Sequence, residues 1–157
     1  MPENNSTINT ITVDNAELLP QVIRLIDEGH TVTLPLRGFS MRPFLEDGRD
    51  KALLTAVDNL MVNDVVLAEV TRQRYVLHRV VDINGQKVTL RGDGNLGTEE
   101  CTVSDIKAKA CGFYRKGKNT LDSVNSRKWK IYTALWTRLL PIRRYLLFAY
   151  RVLRKMK

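Results

Sequence analysis

Three short stretches bring together side chains that can cooperate in one reaction: Gly38-Phe39-Ser40-Met41-Arg42-Pro43, Leu77-His78-Arg79-Val80 and Arg91-Gly92-Asp93-Gly94-Asn95. They supply a hydroxyl, an imidazole and a carboxylate, the parts of a nucleophile–base–orienter triad. A serine hydroxyl attacks poorly until a neighbouring base takes its proton, and the base works best when a third group fixes its tautomer. The chain has only two histidines, His30 and His78, which leaves few choices for the base. An imidazole titrates near about 6.5, so it is partly neutral at ordinary cellular pH without a large shift. Ser40 is therefore the expected nucleophile, His78 the expected base and Asp93 the expected orienter. Gly38 frees the backbone to turn before Ser40, and Pro43 stiffens the turn after it.

These residues also carry a resemblance. Gly-x-Ser-Met followed by Arg-Pro, a strand containing His-Arg-Val and a Gly-Asp-x-Asn after the next strand resemble the signal peptidase I and repressor-type self-cleaving serine peptidase superfamily. The similarity runs from about Thr31 to about Tyr114. Many bacterial members have a lysine base where this chain has His78, so it is similar to the branch in which Ser and His work with an Asp. The resemblance implies a compact antiparallel β fold, a serine endopeptidase activity, and substrate contacts from Gly38 and Met41. Many signal peptidases have a serine two positions before the nucleophile; Gly38 stands there, as in the self-cleaving repressors. The resembling enzymes carry a second acid a few residues after the Asp93 position, and Glu99 and Glu100 fall in that stretch as alternative orienters. Asp47, Asp50 and Asp64 read as structural.

The elements that must position these groups follow from periodicity. Asp14-x-x-Glu17 reads as a capping box opening a helix through Leu18, Leu19, Val22, Ile23 and Ile26, with Gly29 as its stop. Strands are expected over Thr31–Leu36, Ala52–Val57, Val65–Val70, Tyr75–Ile83, Lys87–Arg91 and Ala108–Tyr114, with Asn84-Gly85 as a hairpin turn. Alternation puts Val76, His78 and Val80 on one face. The expected fold class is mostly β (α+β), an antiparallel sheet with an N-terminal helix and C-terminal amphipathic helices. The expected division is a disordered stretch over 1–9, a peptidase-like domain over 10–118 and a basic helical tail over 119–157.

The tail is set apart by charge. The net charge is +8, yet all 17 acidic residues precede Ser126, while ten of the 25 Lys and Arg follow it. Apolar residues from Tyr132 to Met156 recur at spacings of three and four, and Pro141 is expected to kink or split the element. Arg138, Arg143, Arg144 and Arg151 interrupt it too often for a spanning helix. A basic amphipathic helix with six of the chain's eleven aromatic residues suits an anionic membrane surface, so residues 127–157 are expected either to reach one or to pack on the chain's own body or a second copy.

Cys101 and Cys111 fit neither a disulfide framework nor a metal spacing, and no glycine-rich phosphate loop is present, so no cofactor and no metal is expected. The polar N-terminus has neither a basic start nor an apolar run, and a cytoplasmic protein that touches the inner face of the membrane through its tail is expected. Its expected partner is a peptide or protein leader, with nucleic acid not expected. The expected function is cleavage of a leader or signal segment by a serine endopeptidase; the alternative is an inactive peptidase-like binding module held at a membrane by its tail.

Overall fold

Alternating β-branched residues dominate the middle of the chain, and this pattern builds a sheet rather than a bundle. The computed structural model describes residues 15–156. The expected cap at Asp14 and the expected disordered stretch over 1–9 lie outside the described residues. Helix α1, Asn15–Asp27, comes first, then strands β1 Val32–Pro35, β2 Lys51–Thr55, β3 Val65–Thr71, β4 Arg74–Asn84, β5 Lys87–Arg91, β6 Glu99–Thr102, β7 Ile106–Tyr114 and β8 Leu121–Ser123. The strands form one sheet in the order β1-β2-β7-β3-β4-β5-β6, with β8 on β7, and every pairing is antiparallel. The fold is thus α+β and mostly β, with an N-terminal helix and C-terminal helices.

Helix α1 turns Leu19, Val22 and Ile26 inward, against a core that includes Leu54, Leu67, Ala108 and Phe113. It stops at Gly29, whose φ of 92° closes the helix end in the left-handed region. His30 follows, exposed. A second core forms on Val66, Ala68, Val80, Val88 and Leu90. The β4–β5 hairpin turns at Asn84-Gly85, with Asn84 opposite Lys87.

The segment over 119–157 is not a separate appendage. It begins with β8 paired to β7, and Ser126 then caps helix α2, Arg127–Arg138, by accepting a hydrogen bond from the Trp129 N–H at 3.2 Å. Trp129 is buried in the main core, stacked on Phe113 with ring centroids 4.8 Å apart and edge-on to Phe44. Tyr132 stacks on Phe44 at 4.2 Å. Such aromatic pairs add about 0.5–1.5 kcal/mol each beyond their burial, so α2 belongs to the body. Pro141 lies in a 3₁₀ turn, Leu140–Ile142, that separates α2 from helix α3, Arg143–Lys155. No helix among the described residues is long and apolar enough to cross a membrane.

Candidate active site

The chain leaves β1 and turns at Gly38, whose φ of 83° is one that side-chain-bearing residues rarely adopt. The Gly38 N–H donates to Asp47 Oδ1 at 2.8 Å, which ties the start of the Ser40 turn to its far end. Met41 is buried and its carbonyl accepts from the Leu45 N–H, so the residue after Ser40 is fixed in the core. Asp50, also buried, accepts from the N–H groups of Glu46 and Lys116 and closes the loop onto β2. Ser40 sits half-buried at the head of this braced turn.

The turn is gripped from the other side by Gly92-Asp93-Gly94. The Gly94 N–H donates to the Ser40 carbonyl at 2.7 Å. A Cβ on Gly92 would lie 2.4 Å from that same carbonyl oxygen, and one on Gly94 would lie 2.7 Å from the Phe39 carbonyl oxygen. Both are backbone collisions, so both glycines are required for the two turns to touch.

His78 lies in β4, opposite Val66 of β3 and one residue past the last β4–β5 pair, Arg79 with Arg91. It is buried, and with Ser40, Gly38 and Met41 it lines one cleft walled by Leu36, Leu45 and Leu77. Its Nδ1 lies 2.8 Å from Glu99 Oε2 at the start of β6. The contact is close in distance and imperfect in direction. Both atoms are nevertheless buried, and neither has another partner among the described residues, so each is left with the other. Because β5 ends at Arg91, it does not screen His78 from Glu99.

The expected placement of Asp93 needs correcting. Its carboxylate does not meet His78; both oxygens are taken by Arg79, from Nε at 2.8 Å and Nη2 at 2.7 Å. The Tyr132 hydroxyl donates to the same carboxylate at 3.0 Å, and Trp136 Nε1 donates to the Asp93 carbonyl at 2.9 Å. Arg79 Nη1 also donates to the Asn63 carbonyl and to Thr133 Oγ1. The physical reason is strand alternation: His78 and Arg79 are successive residues and point to opposite faces. Asp93 goes to the arginine's face, where a buried guanidinium requires a partner. Of the two alternative acids, Glu99 takes the histidine. Glu100 faces solvent and pairs with Lys87 across the β5–β6 edge.

Burial lowers the His78 pKa below its ordinary value, and the nearby Glu99 carboxylate raises it by less. Burial thus favours the neutral form of the imidazole. Burial, with the Asp93 carboxylate adding to it, holds the Tyr132 hydroxyl protonated far above its usual range.

Sequence reasoning missed three groups around this site. Arg79 was legible only as a cation beside His78; a buried arginine on an inner strand signals that some carboxylate must be spent on it. Glu46 accepts from Arg42 Nε at 2.8 Å and from Tyr150 Oη at 3.0 Å and forms an ion pair with Arg154 at 2.8 Å, tying α3 to the Ser40 turn. Gly92 and Gly94 are points of close backbone approach, which their sequence alone does not reveal. No family model, curated protein or solved structure matches this chain.

Proposed function

We propose that this protein is a serine endopeptidase of the signal peptidase-like type, with Ser40 as nucleophile, His78 as general base and Glu99 as orienter. The observation that carries the reading is the ordering of groups around His78. A carboxylate sits at Nδ1, and Nε2 is the nitrogen left for a cleft that Ser40 also lines. A hydroxyl, an imidazole and a carboxylate in that order suit acyl transfer.

In this mechanism the Ser40 Oγ attacks the scissile carbonyl carbon as its proton passes to His78 Nε2. The imidazolium that forms is stabilised by Glu99 at Nδ1, and the Ser40 N–H is the donor assigned to the developing oxyanion. His78 then gives its proton to the leaving amine as the C–N bond breaks. A water, deprotonated by His78, hydrolyses the Ser40 ester and releases the acid product.

The substrate is an extended leader or signal segment. Among the described residues, strand β1 ends the sheet and is paired on one side only, by β2, which leaves an edge where an extended segment could add. The walls from Leu36, Met41, Leu45 and Leu77 favour apolar side chains beside the scissile bond. The test is incubation of the protein with a proteome-derived peptide library and sequencing of the new N-termini. A shared apolar pattern before the cut supports the reading. A library left intact under all conditions favours a peptidase-like binding module instead.

A further inference from the structure

We infer that α3 is a docking face for an anionic lipid surface and that it carries the Ser40 turn to that surface. The body side of α3 holds the buried Leu147 together with polar groups: Arg143 is buried and donates to the Trp136 carbonyl, while Tyr150 and Arg154 meet Glu46. At 100° per residue, Tyr145, Val152 and Met156 lie opposite those contacts, with Phe148 and Leu153 on either flank. Tyr145 is 68% exposed, Phe148 67%, Leu153 65% and Met156 78%, and they form a run along one helix rather than single scattered apolar residues. Nothing else in the described chain covers this face.

Charge selects the occupant. Arg144, Arg151 and Lys155 lie exposed together along one flank of the apolar face. The whole segment from Ser126 to Lys157 holds ten cations and no acid. A second copy docked face to face would bring two such segments together with no carboxylate on either to pair them. An anionic headgroup layer neutralises the cations while the apolar face enters the acyl boundary, and the aromatic rings of Tyr145 and Phe148 suit the interfacial depth.

The same helix touches the candidate site. Leu147, Tyr150 and Arg151 border a crevice shared with Phe39, Ser40 and Arg42. A surface on the outer side of α3 therefore lies about one helix diameter, roughly 10 Å, from the Ser40 turn. A segment emerging from the bilayer would meet the cleft close to the membrane.

The docking claim does not rest on the peptidase reading, and its test is made on the full chain carrying Ser40→Ala, so that cleavage plays no part. Flotation is measured with vesicles of phosphatidylcholine, with and without phosphatidylglycerol. The chain is expected to float with the phosphatidylglycerol vesicles and to release as salt is raised. Phe148→Ser with Leu153→Ser should weaken partitioning about tenfold or more, with circular dichroism and thermal midpoint unchanged because both side chains are exposed. Arg144→Gln with Arg151→Gln should weaken it too. No flotation at low salt would overturn the proposal, as would flotation indifferent to the Phe148 and Leu153 changes. A concentration-dependent dimer that fails to float and is dissolved by Phe148→Ser would also overturn it, assigning the face to a second copy.

Discussion

Glu99 Oε2 lies 2.8 Å from His78 Nδ1, while the neighbouring Asp93 gives both its carboxylate oxygens to Arg79. Two acids six residues apart thus have separate work, one at the candidate base and one in the scaffold. Successive residues of β4 divide them, because His78 and Arg79 face opposite sides of the sheet.

Substitution separates the two roles. Glu99→Gln offers Nδ1 an amide in place of a carboxylate and favours the wrong tautomer, so kcat should fall about 10³- to 10⁴-fold with little change in thermal midpoint. Asp93→Asn leaves Arg79 buried without its counter-charge, which costs about 3–5 kcal/mol of stability. Kinetics and thermal denaturation of the two variants should therefore give opposite patterns. A stable, inactive Asp93→Asn beside an active Glu99→Gln would return the orienting role to Asp93.

The pH profile follows from burial of His78, which lowers its pKa below the ordinary value of about 6.5. The base is neutral above its folded pKa, so the acid limb of kcat/KM should lie below about 6.5. Removing the Glu99 charge, which raises the pKa, should move any residual limb to still lower pH. Stability has the same sign. Between the folded value and about 6.5 the unfolded chain binds more protons, so His78 stabilises the fold fully above that window and progressively less as pH falls through it. An acid limb centred above pH 7 would contradict this assignment.

Gly92→Ala tests the grip on the Ser40 turn. Its Cβ would sit 2.4 Å from the Ser40 carbonyl oxygen, so one of the two turns must shift. A cost of about 1–3 kcal/mol is expected from the forced backbone movement. Misplacing the nucleophile by a fraction of an ångström to an ångström should lower kcat/KM about 10²-fold. The variant's circular dichroism should match that of the parent, since the clash is local. Parental kcat/KM would show that the turn is not held from this side.

The two C-terminal helices should respond differently to removal. Trp129 lies in the main core between Phe44 and Phe113, and Trp129→Ala should cost about 3–5 kcal/mol. A chain ending after Ile142 keeps α2 and should remain folded, losing less than the Trp129 change does. A chain ending at Ser126 should not fold. Thermal denaturation of the three separates a docked α2 from a detachable one.

Much of this architecture was legible because its cause is local. Strand β5 was expected over its observed residues, and β4 to within a residue at each end, since alternation and an Asn-Gly turn mark both. Strands β6 and β8 escaped notice because Glu99-Glu100-Cys101-Thr102 and Leu121-Asp122-Ser123 have almost no β-branched or aromatic signal and are held by their neighbours. Ser40 and His78, singled out from their surroundings in the sequence, line one cleft. The direction of the Asp93 carboxylate was not legible because a Gly-Asp-Gly-Asn turn satisfies turn chemistry wherever its carboxylate points. Its direction depends on a long-range fact, the burial of Arg79 beneath α2. The inward turn of α2 and the outward turn of α3 were equally hidden, since both helices carry aromatic and basic residues and only the docked partner distinguishes them.

The most direct test of the central claim is kcat/KM for one peptide drawn from the library, measured for the parent and for Ser40→Ala prepared in parallel. A serine nucleophile predicts a fall of at least about 10³-fold with the thermal midpoint preserved. Equal cleavage by the two proteins would show that Ser40 is not the nucleophile and that the arrangement around His78 serves another purpose.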